Sequence, residues 1–105
     1  MMILAIERPI QSVTDAQFTP ELAAAEARRA WELHQAGTLR DLHFRADQSS
    51  AVLVLECGDV ATARQILASL PLVALGLTEF EVLPLRAYPG FERLFAPGAL
   101  SSERG

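Results

Sequence analysis

The hydrophobic and polar positions fall into blocks with two different periods. Met2 to Glu7 is apolar and β-branched at Ile3 and Ile6, and Pro9, which has no amide to donate to an interior ladder, closes it; this predicts a strand. A polar loop follows from Ile10 to Phe18. Thr19-Pro20-Glu21 then reads as a helix start: a hydroxyl cap, proline at the first helical position, and a carboxylate at the positive end of the dipole. Along a helix of about 17 residues, at about 100° per residue, Ala23, Ala27, Ala30, Leu33 and His34 gather on one side. Arg28, Arg29, Glu32 and Gln35 take the other, and Gly37 supplies a left-handed ending. Small residues on the inner side predict a close approach to a sheet.

From Leu39 the period changes to two. Leu39 to Ala46 predicts a second strand, Asp47 to Ser50 a turn, and Ala51 to Cys57 a third strand, so the three form a hairpin. Centring the turn there pairs Ala46 with Ala51, Phe44 with Leu53, Leu42 with Leu55 and Arg40 with Cys57 on one face. The other face holds Arg45 with Val52, His43 with Val54 and Asp41 with Glu56. Gly58-Asp59 caps a second helix from Val60 to Leu70, with Val60, Ala63, Leu67 and Leu70 at core spacing before Pro71 stops it. Leu77 to Leu85 is the last strand. The order β-α-β-β-α-β is that of the ferredoxin-like α+β sandwich, an antiparallel four-stranded sheet with both helices on one side. Residues 1–87 are expected to form this domain and 88–105 an arm and tail, with Pro97 to Gly105 disordered.

Composition narrows the function classes. A chain of 105 residues suits a single core. Half of it is apolar and the mean hydropathy is +0.21, which together with a mixed, uncovered sheet face predicts a homo-oligomer built on a two-fold dimer. The net charge is −4 and every basic residue is arginine, so nucleic acid is disfavoured as a partner. The apolar runs are too short for a membrane span, and the first residues lack the basic leader of a signal peptide; the expected location is cytoplasmic. A single cysteine, Cys57, excludes an intrachain disulfide and a multi-thiolate metal site.

The polar face of the hairpin gathers the titratable side chains. His43 is the candidate base, because an unperturbed imidazole already titrates near neutrality. Glu56, placed opposite Asp41 with little water, is the second proton carrier, its pKa raised by burial and like charge; a solvated carboxylate pair is the alternative. Arg45 offers a planar two-point match to a substrate carboxylate, or else neutralises Glu81 or Glu7. Arg40 falls on the helix side by alternation. His34 reads as a core histidine. Tyr88 could close a neighbour's pocket or serve an interface. His43, Asp41 and Glu56 make a weak metal set, and neither metal nor cofactor is expected.

From Glu26 to Leu85 the chain resembles the muconolactone isomerase family. The likeness is carried by the helix ending in Gly37-Thr38, the following Leu39-Arg40-Asp41-Leu42, the helix close Leu67-Ala68-Ser69-Leu70-Pro71-Leu72, and Glu81-Val82 with Leu85. Two features depart from it: Val73-Ala74-Leu75-Gly76 stands where the family tends to have a second proline and an aromatic, and the family's arginine near the end of strand two sits one position before Arg45. The resemblance implies dimeric α+β barrels assembled into decamers. It also implies a metal-free shift of a double bond in an unsaturated lactone bearing a carboxylate, with Arg40 the arginine that matches. Two other classes remain open: a cofactor-independent monooxygenase, in which His43 deprotonates a phenol, and a non-catalytic small-molecule-binding protein.

Overall fold

The computed structural model describes residues 1–95. The elements are β1 (Met2–Pro9), α1 (Pro20–Gln35), β2 (Leu39–Phe44), β3 (Ala51–Glu56), α2 (Val60–Ala68), α3 (Pro71–Ala74) and β4 (Thr78–Pro84), with 3-10 turns at Asp15–Gln17 and Pro89–Leu94. The strands form one antiparallel sheet in the order β2-β3-β1-β4, the ferredoxin-like arrangement. The expected tail from Pro97 lies outside the described residues.

The helix signals act where the sequence places them. Thr19 Oγ1 accepts from the Leu22 amide at 3.2 Å, satisfying one of the donors that a helix start leaves free. Gly37 has φ +82°, which lets the Thr38 amide reach the Leu33 carbonyl at 3.1 Å and the Gly37 amide the His34 carbonyl at 3.0 Å. Gly76, at φ +73°, ends α3 in the same way, with Leu77 reaching the Leu72 carbonyl. α3 itself is an addition to the expected order: Pro71 stops α2 and starts another turn of helix.

One face of the sheet holds the core. Ile3 lies opposite Leu55, and Ala5 lies between Leu53 and Val82. Leu33 of α1, with Ala63 and Leu67 of α2, packs on this layer, and Leu55 is 0 % exposed. The opposite face carries half-buried Leu4, Ile6, Val52 and Val54 beside exposed Leu83. Ion pairs bound it, one between Arg8 and Glu81 and one between the Met1 ammonium and Glu56.

The hairpin differs from its expected register by two residues. β2 ends at Phe44, which lies opposite Ala51 instead of Leu53, and the turn is longer, closed by the Arg45 amide on the Ser50 carbonyl at 2.9 Å. A slip of two preserves the faces. It removes the pairing of Asp41 with Glu56, because Asp41 now faces Val54 and Glu56 faces Met2. The ladder also shifts between Leu39 and Asp41, which makes Arg40 the extra residue of a bulge. Leu39 therefore takes the core position that alternation assigns to Arg40, and it is buried while Arg40 is exposed.

Candidate active site

α1 crosses above the helix side of the sheet, presenting Ala23, Glu26, Ala27, Ala30, Trp31 and His34 at i, i+3, i+4, i+7 spacing. The small side chains do not draw the helix down onto β2. They leave a cavity of about 350 Å³, walled by Ala23, Ala27 and Ala30 above and by Leu42, Phe44, Leu53, Leu72 and Phe80 around it. Leu42 and Phe44, expected in the core, line this space at the sheet edge, and Phe44 is 72 % exposed. A second groove of about 410 Å³ continues along α1 toward its C-terminus, lined by Trp31, His34, Leu39, Arg40, Asp41 and His43. The two share Ala27, Ala30 and Leu42, so they form one trough with an inner and an outer end.

Glu26 is the ionisable side chain of the inner end. Its Oε1 accepts from the Leu72 amide at 2.9 Å. Burial raises its pKa above the usual carboxylate value; the Leu72 bond opposes that shift and the nearby charge of Glu7 adds to it. Glu7 lies beneath, opposite Phe80 on the sheet. Its two carboxyl oxygens accept from the Ala51 amide at 2.8 Å and the Thr78 hydroxyl at 2.7 Å, which fixes it in place. Sequence reasoning passed over Glu26 because a glutamate on an alanine-rich helix reads as solvated. Its spacing from Ala23 and Ala30 was the available signal.

The outer end carries a different chemistry. His34 Nδ1 lies 3.1 Å from the Leu39 carbonyl, and since a carbonyl only accepts, Nδ1 bears the proton and Nε2 is the second ring nitrogen open to another partner. The ring rests against Trp31 at a centroid distance of 5.4 Å. Arg40 Nε donates to the Gly37 carbonyl at 2.8 Å, which orients the guanidinium across the helix terminus.

The remaining sequence-selected residues are scattered. Glu56 receives a 2.6 Å hydrogen bond from the Met1 ammonium, which holds its pKa below the usual value, with Arg40 a weaker contributor. The expected upward shift is thus reversed, because the register takes Asp41 away and an ammonium arrives instead. Arg45 neither reaches Glu81 nor Glu7; it forks onto Asp47 in the turn at 2.9 and 2.5 Å, lowering the Asp47 pKa. His43 is exposed on the rim of the groove, and Asp41 sits beside it on the same strand. Tyr88 is exposed and meets Phe91 edge-on at 5.1 Å. Among the described residues no group of three or more His, Cys, Asp or Glu is placed to hold a metal ion.

Residues 3–90 match the muconolactone delta-isomerase family. The chain belongs to that family. A crystal structure of muconolactone isomerase superposes on it with a TM-score of 0.65 at 24 % identity, over 85 % of this chain and 92 % of that one. No curated protein matches the sequence significantly. The protein is therefore muconolactone isomerase-like in family and fold, and the family match extends through β1 and into the segment beyond β4. No helix among the described residues is long and apolar enough to cross a membrane.

Proposed function

We propose that the protein is a proton-shift isomerase acting on a small unsaturated lactone that carries a carboxylate, with the reacting carbons in the inner cavity and Glu26 as the proton carrier. The reaction breaks a C–H bond alpha to the carbonyl or vinylogous to it, moves the double bond, and forms a C–H bond at the far carbon, so that no atoms are gained or lost. Such a step needs a base strong enough to take the proton and a conjugate acid weak enough to keep it until the electrons have moved. A carboxylate in apolar surroundings meets that need, since desolvation raises its basicity toward the working pH. The half-buried Glu26 carboxyl in an apolar cavity is the observation that carries this reading. Arg40, on the trough lining, is the anchor for the substrate carboxylate, in preference to Arg45, which is committed to Asp47. His43 at the rim is placed to assist that anchor, and Glu56, neutralised by an ammonium, has no part in the proton transfer.

The uncovered sheet face supports a two-fold dimer: Leu4, Ile6, Val52, Val54 and Leu83 make an apolar patch that a second copy of the same face would cover. The one free thiol fits a reducing, cytoplasmic setting.

The test is proton exchange in deuterated water. Unsaturated five-membered lactones with a carboxylate arm should gain deuterium at the far carbon, where the new C–H bond forms, without oxygen uptake. Oxygen consumption would point to the oxygenase class instead, and a panel that exchanges nothing would leave a binding protein.

A further inference from the structure

The inner cavity alone lies within the range of pockets that hold a small molecule. The trough continues well beyond it. Glu26 and His34 are eight positions apart on α1, which at 1.5 Å per residue puts them about 12 Å apart along the axis. A single lactone ring reacting at Glu26, with its carboxylate arm directed toward Arg40, would leave the Trp31 face of the outer groove uncovered.

That groove is not a bland surface. Trp31 is the only tryptophan in the chain, and it is 58 % exposed on a helix whose other members of the stripe toward β2 are mostly alanine. Its ring is braced by His34, and His34 is braced in turn by the Leu39 carbonyl, so the indole has a fixed neighbour. Leu42 supplies the apolar wall that the groove shares with the inner cavity. Arg40 is oriented by its own Nε bond to Gly37, and none of the four ion pairs found among the described residues uses its guanidinium. Asp41 is the only carboxylate on this lining. A flat apolar-aromatic surface next to an oriented cation suits a planar group ending in an anion.

Building on the isomerase reading, we infer that Trp31 and His34 form a platform subsite that selects an elongated substrate, in which a planar aromatic or conjugated group joins the reacting ring to the acid held by Arg40. The substrate class is then a conjugated or aryl-substituted carboxylate larger than a monocyclic lactone acid. Trp31 sets specificity by offering a face for stacking, while Arg40 reads the charge at the end of the group.

Calorimetric titration of the full chain separates these roles without needing turnover. The probes are 2-naphthoate, its neutral analogue 2-naphthylmethanol, and cyclohexanecarboxylate, which keeps the acid but is not planar. The wild type should bind 2-naphthoate about 10-fold more tightly than either analogue, with a shift of the Trp31 indole N–H resonance. Trp31→Ala should remove the preference over cyclohexanecarboxylate and keep the preference over the alcohol. Arg40→Gln should do the reverse. Because both side chains are exposed, both variants should melt with the wild type; Trp31→Phe, which keeps a ring face, should retain most of the planar preference and controls for a packing defect. Equal affinity of the wild type for the three probes, or an unmoved indole resonance, overturns the subsite. Proton exchange by the wild type, run beside this titration, keeps the two readings apart. Exchange activity on monocyclic lactones with no naphthoate preference sinks the subsite alone, whereas naphthoate selectivity with no exchange on any lactone sinks the isomerase reading alone.

Discussion

The two sides of the sheet hold glutamates, one on the covering helix α1 and one on β3, whose surroundings push them in opposite directions. On the helix side, Glu26 hangs into an apolar trough, and burial makes it a stronger base than a solvated carboxylate. On the open side, Glu56 is exposed beside the Met1 ammonium and is made a weaker one. Same side chain, opposite aptitude: the first suits proton abstraction and the second suits a structural ion pair. β2 borders both regions: Leu39, Leu42 and Phe44 lie on the trough side, while Asp41 and His43 alternate toward the open side and reach only the rim of the outer groove.

Core packing gives the largest contrast. Leu55 and Val54 are neighbours on β3 facing opposite ways, Leu55 fully buried and Val54 half-buried. Leu55→Ala should cost about 3 kcal/mol in urea unfolding, the usual range for a truncated core leucine. Val54→Ala should cost about half as much, ~1.5 kcal/mol, even with a second copy over it, from fewer buried methylenes. Comparable losses would mean that the open face is as closely packed as the core.

Val54→Asp tests what covers that face. A charge at the centre of the apolar patch should convert a dimer into a folded monomer in light scattering, with little change in circular dichroism. If the wild type is already monomeric at micromolar concentration, the two-fold interface is wrong.

The pH dependence of stability sharpens the carboxylate contrast. A carboxyl with a raised pKa binds its proton more tightly when folded, so its contribution falls as pH rises from the ordinary carboxylate value through the raised one. Glu26→Gln should therefore raise the melting temperature at neutral pH by a few degrees at most, a gain that fades once acid protonates the wild-type carboxyl. Glu56 runs the other way: its contribution is present above the ordinary value and lost as pH falls through the lowered one. Glu56→Gln should lower the neutral-pH melting temperature slightly and converge with the wild type in acid. The smallest effect belongs to the turn, where Asp47→Asn breaks the exposed fork with Arg45 and should leave the melting temperature unchanged within error.

Much of the fold was legible because its signals are local. Thr19, Pro20, Gly37 and Asp59 mark helix ends by chemistry that acts within four residues, and the two-residue period of Ala51 to Glu56 identifies a half-buried strand without reference to its partners. The hairpin register was not legible, since Ala46 and Asp47 could extend the strand as readily as begin the turn. Nor was the bulge at Arg40, where no glycine marks it; the conflict between strand alternation and the family match at that arginine was its only trace, and the extra residue resolves it. The site was harder still. Glu26 owes its raised pKa to burial in the trough, reinforced by Glu7 on the central strand β1 and opposed by the Leu72 amide 46 residues away, surroundings that exist only after folding. The titratable residues of the hairpin were conspicuous in sequence, yet Arg45 and Glu56 are spent on exposed ion pairs.

The central claim is that proton transfer belongs to the helix-side trough and not to the open face. Deuterium incorporation into a carboxylated unsaturated lactone, followed by NMR in parallel for the wild type, Glu26→Gln and the double variant His43→Gln/Glu56→Gln, tests it directly. Glu26→Gln should lose at least ~100-fold in rate, the lower end for removal of a general base, while the double variant stays within about 10-fold of the wild type through its remaining Glu26. A double variant that loses exchange while Glu26→Gln retains it would move the chemistry to the open face and contradict the account.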